Sequence, residues 1–151
     1  MALIDNLSGN LIGLDTSILI YYIAGDSGYA TIIAPLFDEI ASGNLIGVTS
    51  TVSLVEALVH PLRNNDVEMV RLTKEMLLES DNVLTFELTA EIAERAAMLR
   101  AQHNLRTPDA IQLATALYAG AQTFVTNDRR LRSIDGLKVV VLQDLIEMED
   151  W

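Results

Sequence analysis

Short apolar runs alternate with longer amphipathic segments along this 151-residue chain, and the alternation limits the folds open to it. The runs are apolar almost throughout, which indicates strands that are buried on both faces of a sheet. The predicted strands are Leu11–Leu14, Leu45–Val48, Asn82–Phe86, Thr123–Thr126 and Leu137–Leu142. Strands separated by helices are typical of parallel sheets. We therefore predict an α/β fold of three layers, with a mainly parallel central sheet of four to five strands between helices.

The amphipathic segments are predicted helices, and capping residues and helix breakers set their ends. Ser50 is expected to cap a helix that Pro61 stops after His60. Thr107 is expected to cap a helix that begins at Pro108. The helices are predicted at Thr16–Ala24, Tyr29–Ser42, Ser50–His60, Asp66–Glu79, Thr89–His103 and Pro108–Ala119, with turns at Gly25–Gly28, Asp128–Arg132 and Leu145–Glu149. Without linker-like or repeated segments, residues 1–151 are predicted to form a single domain.

Composition excludes several classes of protein. The chain has no Cys, which rules out a disulfide scaffold and a Cys-based zinc site, and it is too apolar (50%) for a disordered protein. It carries 21 acidic and 10 basic side chains, a formal net charge of −11. This charge argues against a protein that binds nucleic acid through a broad basic face. With no signal-like or membrane-spanning segment, we expect a cytoplasmic protein.

Two acidic residues follow predicted strands. Asp15 and Asp128 each come directly after a strand, and α/β proteins form their sites at such strand ends. Asp15 could equally serve as a helix cap, and Asp128 as a turn residue. Their positions therefore allow a functional and a purely structural interpretation.

Two further acidic residues lie in predicted helices. Glu56 has apolar neighbours on almost every side, and a carboxylate in such a place normally has a partner or binds a metal. The alternative is a solvated helix stripe that Glu56 shares with Ser53 and His60. Asp109 is explained by its place in the first turn of a helix, where an acid complements the helix dipole.

Taken together, the four acids could converge in one cleft. Clustered carboxylates repel one another, and a divalent cation would neutralise them. Mg²⁺ and Mn²⁺ prefer oxygen ligands, whereas a chain with two His and no Cys is a poor candidate for zinc.

Four segments, in this order, resemble the PIN-domain nucleases and in particular the VapC-type toxins of toxin–antitoxin pairs. They are Leu14-Asp15-Thr16-Ser17, Ser53-Leu54-Val55-Glu56, Arg106 to Ala116 (RTPDAIQLATA) and Thr126-Asn127-Asp128. The resemblance covers roughly residues 10 to 142. It implies a PIN fold and an endonuclease that cleaves RNA with Mg²⁺ or Mn²⁺, in which Asp15, Glu56, Asp109 and Asp128 form the acidic quartet.

The resemblance also implies supporting residues and partners. Thr16 matches a hydroxyl that orients the first carboxylate, and Thr126 and Asn127 precede the fourth acid. We expect Asp15 and Asp109 to bind a metal directly, with Glu56 and Asp128 binding a second ion or coordinated waters; one ion or two remain open. A homodimer and a small antitoxin protein are the implied partners.

Arginine and tyrosine side chains near these acids have two interpretations each. Arg106, Arg129 and Arg130 could contact substrate phosphates, or they could belong to a solvated face. Tyr21 and Tyr22 could stack on an RNA base, or pack in the core or a dimer interface. The mean hydropathy of +0.30 suggests an exposed apolar patch, which we place on the helices at Thr31–Ile40 and Asp66–Leu78.

Other functions stay open. The chain could be a stand-alone nuclease, or a catalytically silent PIN-like domain that binds RNA or protein. A phosphotransfer protein with an aspartyl nucleophile at Asp15 is less expected, because Ser17 stands where a haloacid-dehalogenase-like phosphatase has a second Asp.

Overall fold

The structure, a computed structural model, describes residues 2–25 and 28–149. Five strands form one parallel sheet in the order β3-β2-β1-β4-β5. The strands are β1 Leu11–Leu14, β2 Ile46–Ser50, β3 Val83–Phe86, β4 Thr123–Thr126 and β5 Lys138–Val141. The helices are α1 Thr16–Ala24, α2 Ala30–Ala41, α3 Thr51–Arg63, α4 Val67–Lys74, α5 Ala90–Gln102, α6 Thr107–Ala119 and α7 Leu142–Glu149, with short 3-10 and π segments at Leu3–Asn6 and Glu75–Glu79.

Helices cover both faces of the sheet, each over its own apolar cluster. Ile12 and Leu14 of β1 pack into a cluster built with α1, α2 and α7. Gly13 lies on the opposite face, against Phe124 and Ala116, in a cluster built with α5 and α6. Because successive residues of a strand point to opposite faces, β1 joins both clusters. The predicted three-layer α/β fold with a parallel sheet is confirmed.

The order of the strands creates a cleft at one edge of the sheet. From β1 the chain moves outward to β2 and β3, and then returns to the other side of β1 at β4. Leu14 at the end of β1 pairs with Val125 of β4, so the carboxyl ends of these two strands lie side by side. Parallel sheets bind ligands outside such a reversal point, because the loops that follow the two strands turn apart there.

Two predicted helix ends are wrong by a few residues. Helix α3 continues through Pro61 to Arg63; Pro61 has no N–H to donate, so the helix gives up one bond, but Asn64 N–H still donates to the His60 carbonyl. Helix α6 begins at Thr107 with Arg106 as its N-cap, so the predicted cap at Thr107 is wrong; its hydroxyl accepts from Arg100 Nη1 at 2.9 Å. The predicted cap at Ser50 is confirmed, with Val52 N–H donating to Ser50 Oγ at 3.2 Å.

Other elements differ locally from the prediction. The segment Asp66–Glu79 divides into α4 and the π segment. The segment Asp128–Arg132 is a turn in which the Leu131 N–H donates to the Asp128 carbonyl, and the C-terminal turn is the longer helix α7. The turn predicted at Gly25–Gly28 includes Asp26 and Ser27, which lie outside the described residues. Across the described ranges, we find no helix with the length and apolar character needed to cross a bilayer.

The predicted apolar patch is half right. Val67 and Leu78 are 80% and 55% exposed, but the large apolar side chains of α2 face the sheet and are buried. Val55 and Leu62 of α3 are exposed instead. The exposed apolar surface therefore runs along α3 and α4.

Candidate active site

Asp15 stands at the point where the strand order reverses. Its backbone N–H donates to the Val125 carbonyl, which continues the pairing of β1 with β4 by one residue. Its carboxylate accepts from Thr126 Oγ1 at 2.5 Å and from Thr16 N–H at 2.8 Å. Asp15 is also the N-cap of α1, which confirms the capping interpretation of this residue. The carboxylate is held from two elements and is strongly oriented.

Thr16 connects Asp15 to Glu56. Only its backbone N–H bonds Asp15, whereas its hydroxyl donates to Glu56 Oε1 at 2.8 Å. The hydroxyl of Thr16 therefore orients the second acid rather than the first. Glu56 is exposed, but Ser53, which was placed on the same solvated stripe, is fully buried. The predicted stripe is wrong at Ser53 because one turn of α3 separates a side chain at the cleft from one beneath it.

Asp109 and Asp128 each hold an arginine. Asp109 is buried in the first turn of α6 and accepts from Arg106 Nε at 3.0 Å. Asp128 is half-buried and accepts from the backbone and the guanidinium of Arg130, at distances of 2.7 to 3.0 Å. The Asp128 N–H donates to Thr126 Oγ1 at 3.0 Å. Thr126 thus links the first acid to the fourth.

Asn127 forms hydrogen bonds that anchor the loop after β4. Its Oδ1 accepts from Gln143 N–H in the first turn of α7, and its Nδ2 donates to Tyr21 Oη of α1. Asn127 therefore ties the loop after β4 to two helices and fixes the position of Asp128. Tyr21 itself stacks on Tyr29.

The second tyrosine packs within the chain. Tyr22 stacks on Phe37, with ring centroids 3.9 Å apart. Both tyrosines therefore have aromatic partners of their own, which favours the packing interpretation.

One open cavity of about 380 Å³ brings the predicted residues together. Asp15, Glu56, Asp109 and Asp128 all line it, together with Thr16, Ser17, Tyr21, Arg106, Asn127, Arg129 and Gln143. A larger cavity of about 610 Å³ lies between α1, α4 and the π segment, and among the described residues its lining includes none of the four acids. We assign the chemistry to the smaller cavity because its polar groups converge there from five elements.

The electrostatics of the two strand-end acids differ. Burial raises the pKa of Asp15, and the charges of Asp109 and Glu56 raise it further, against the hydrogen bonds from Thr126 and the Thr16 N–H. The hydrogen bonds from Arg130 hold the pKa of Asp128 below its usual range. A cation would relieve the repulsion at Asp15 and is not needed to balance Asp128. The strongest demand for positive charge therefore lies at Asp15.

The three predicted phosphate-contacting arginines are all paired with acids. Arg106 bonds Asp109 and Arg130 bonds Asp128. Arg129 bonds Glu147 and lies 3.7 Å from Asp144, both on α7. Arg106 and Arg129 line the cavity, whereas Arg130 is not part of its lining and reaches it only through Asp128. Each of the three guanidinium groups bonds a carboxylate of the chain.

The donor set of the cavity suits a hard cation. Four acidic residues line one space together with Thr16 and Ser17, and carboxylate oxygens are the ligands that Mg²⁺ and Mn²⁺ prefer. Within residues 2–25 and 28–149, no group of three or more acidic or histidine side chains is already arranged as a metal cage. At Asp109 and Asp128 the ion would compete with Arg106 and Arg130 for the carboxylate oxygens.

Several residues of the site carry no role in the sequence analysis. Gln112, on the same face of α6 as Asp109, donates to Ser53 Oγ at 2.6 Å. Gln143 lines the cavity from α7. The spacing of three between Asp109 and Gln112 places them on one helix face, and this is the one sequence feature that could have predicted Gln112 as part of the site. No sequence feature indicates Gln143.

An all-parallel α/β sheet with an acid-lined cavity at its reversal point defines the class of this protein. The family model for the PIN domain matches residues 12–137. The chain therefore belongs to the PIN domain family, which confirms the resemblance noted in the sequence. A search of curated protein sequences found no significant match.

Solved structures share the fold at low sequence identity. VapBC2 from Rickettsia felis, bound to a DNA fragment from its promoter, superposes with a TM-score of 0.67 at 17% identity, over 87% of this chain and 98% of that one. VapC20 from Mycobacterium tuberculosis, a toxin that cleaves the sarcin–ricin loop, gives 0.62 at 20% identity over 76% and 86%. A toxin–antitoxin complex from Klebsiella pneumoniae gives 0.57 at 23% identity over 85% and 95%.

Proposed function

We propose that this chain is a divalent-metal-dependent endoribonuclease, and that it is the toxin of a toxin–antitoxin pair. The observation that carries the proposal is the convergence of Asp15, Glu56, Asp109 and Asp128 on one cavity outside the ends of β1 and β4. Membership of the PIN domain family supports it. The toxin–antitoxin complexes and the RNA-cleaving toxin among the structural neighbours point the same way.

Asp15 and Asp109 would hold the cation, with Glu56 and Asp128 holding a second ion or coordinated waters. Bound Mg²⁺ or Mn²⁺ would supply Lewis acidity toward the phosphodiester and an activated water. The protein's own part is orientation: Thr126 fixes the Asp15 carboxylate and Thr16 fixes Glu56. No side chain is required as a nucleophile in this proposal.

RNA would approach the cavity past Arg106, Arg129 and Arg130. These guanidinium groups can form paired hydrogen bonds with phosphate oxygens once they exchange their carboxylate partners. A small antitoxin protein is the proposed partner, since the structural neighbours include toxin–antitoxin complexes. A homodimer and a cytoplasmic location are further parts of the proposal.

One observation favours a second candidate, a catalytically silent PIN domain that binds RNA or protein. The Arg106–Asp109 and Arg130–Asp128 pairs balance two of the four acids inside the chain. If those pairs persist in the presence of Mn²⁺, the cavity lacks the ligands for cleavage.

Cleavage of a panel of structured RNAs in Mg²⁺ or Mn²⁺ separates the two candidates. We expect Asp109→Asn to lower the cleavage rate by about a hundredfold or more, because a charge at the reacting centre is lost. Asp38→Asn, an exposed acid on α2, is the matched control and should cleave like the wild type. Equal rates in wild type and Asp109→Asn, or the absence of any metal-dependent cleavage, would refute the proposal.

A further inference from the structure

A buried chain of polar side chains lies directly beneath Glu56. Thr49, Ser53, Thr16 and Gln112 come from four different elements, namely the end of β2, α3, α1 and α6. None of them is more than 6% exposed. Buried polar groups are costly unless they are hydrogen-bonded, so a cluster of four in a small domain calls for an explanation.

The distances join these side chains into one network. Gln112 Nε2 lies 2.6 Å from Ser53 Oγ and 3.3 Å from Thr16 Oγ1. Ser53 Oγ lies 2.8 Å from both Thr16 Oγ1 and Thr49 Oγ1. The Thr16 hydroxyl lies 2.8 Å from Glu56 Oε1.

Counting protons fixes the direction of every bond. The Glu56 carboxylate can only accept, so the single proton of Thr16 goes to Glu56. Ser53 must then supply the proton of its contact with Thr16, and Thr49 the proton of its contact with Ser53. Gln112 Nε2 can only donate, and does so to Ser53.

The reverse orientation of the Gln112 amide is inconsistent with these contacts. Ser53 would then donate to the amide oxygen, and the 2.8 Å contact between Ser53 and Thr16 would have no proton. All donors therefore point toward Glu56, and its carboxylate is the final acceptor.

Gln112 lowers the stability of the fold, and packing alone does not explain its presence. In the described part of the chain its Oε1 is buried without a hydrogen-bond partner. An apolar side chain of similar length, such as Met, would avoid that unpaired oxygen. Residues that reduce stability in this way are typical of functional sites.

We infer that Ser53 and Gln112 are positioning residues, which hold the Glu56 carboxylate in the acidic cavity through the Thr16 hydroxyl. The inference rests on the proposed function, because it assigns Glu56 a place in the metal site. Mutation of a group that orients a metal ligand through hydrogen bonds typically lowers metal affinity by about tenfold to a hundredfold.

Calorimetric titration with Mn²⁺ alone tests this on the full chain. We expect Ser53→Ala to weaken Mn²⁺ binding about tenfold or more, and to lower kcat for RNA cleavage while KM for RNA stays close to that of the wild type. Thr115→Val is the matched control: this buried hydroxyl on α6 donates to the Ile111 carbonyl of its own helix at 2.7 Å, and its loss should leave Mn²⁺ affinity unchanged.

Gln112→Met distinguishes an effect on the position of Glu56 from an effect on the stability of the fold. It also provides the test if Ser53→Ala does not fold. It removes the donor and the unpaired oxygen together, so we expect an unchanged or higher Tm with weaker Mn²⁺ binding. A Tm change in either variant with wild-type Mn²⁺ affinity would mean that the network is only structural, and would overturn the inference.

Asp15→Asn distinguishes failure of the inference about Ser53 and Gln112 from failure of the proposed function. If the wild type binds Mn²⁺ and Asp15→Asn does not, the metal site stands, and the Ser53 and Gln112 variants decide the inference alone. If the wild type and Asp15→Asn give the same heats, the proposed metal site is wrong and the inference falls with it.

Discussion

Gly13 allows the helix that carries Asp109 to pack close to the strand that leads to Asp15. A Cβ at this position would lie 2.6 Å from Phe124 Cδ2 and 3.0 Å from the Ala116 Cβ. Carbon atoms in contact normally lie about 3.5–4.0 Å apart, so an added methyl group overlaps both neighbours. Phe124 and Ala116 are each 1% exposed and have little room to move. We therefore expect Gly13→Ala to push β4 and α6 away from β1.

The change in the free energy of unfolding of Gly13→Ala follows from two opposing effects. Overpacking a core by one methyl group costs about 1–3 kcal/mol. Replacing Gly by Ala recovers about 0.5–1 kcal/mol, because the unfolded chain has less conformational freedom to lose. The net loss of stability is therefore at most about 2.5 kcal/mol, which corresponds to a fall in Tm of up to about 10 °C for a domain of this size.

Gly28→Ala is the matched control for thermal unfolding. A Cβ at Gly28 would meet no described atom within 4 Å, so this variant reports the unfolded-state effect alone and should have a Tm equal to or above that of the wild type. The difference in Tm between the two alanine variants isolates the overlap in the core. A Gly13→Ala protein as stable as Gly28→Ala would refute the reasoning.

Two further predictions concern pH. Because burial raises the pKa of Asp15, ionising this carboxyl costs more in the folded than in the unfolded chain, and stability falls as the pH rises from the usual carboxyl pKa through the folded pKa. Asp15→Asn should therefore raise Tm at pH 7, with no gain at pH 3, while abolishing cleavage. A lower Tm at pH 7 would contradict this. Because Arg130 lowers the pKa of Asp128, that pair stabilises the fold above the unfolded pKa of the carboxyl, and the contribution is lost as the pH falls through the folded pKa. Arg130→Gln should therefore reduce Tm slightly at pH 7, and the reduction should shrink as the pH falls below the usual carboxyl pKa. A reduction of the same size at every pH would exclude the ion pair as the cause.

The positions of the four acids could be predicted because they depend on local sequence. Asp15 and Asp128 follow apolar strands, and in a parallel sheet strand ends of this kind share one edge. The sequence does not specify that β4 lies beside β1, because that depends on how the helices pack on both faces. The pairing of Thr126 with Asp15, which joins residues 111 positions apart, follows from that strand order and was beyond local reasoning.

Side-chain partners were less predictable than positions. Thr16 has two donors, and only the fold shows that the backbone N–H serves Asp15 while the hydroxyl serves Glu56. The alternative of a solvated stripe places Ser53 at the surface one turn from Glu56, but the approach of α1 and α6 buries this side chain. Helix periodicity identifies a face of a helix, whereas the tertiary packing determines what covers that face.

The net charge of −11 and the pairing of the arginines bear together on how RNA could bind. A long-range field of this sign repels a polyanion, so it slows the encounter. Arg106 and Arg130 cannot add a free positive charge while they bond Asp109 and Asp128. The bond to Asp109 uses one of the five N–H donors of Arg106, and the bonds to Asp128 use two side-chain donors of Arg130. A phosphate that bonds the remaining donors is repelled by the neighbouring carboxylate, and a cation bound to that carboxylate removes the repulsion. In the proposed enzyme, metal and RNA would therefore bind more strongly together than apart, because each removes the charge that opposes the other.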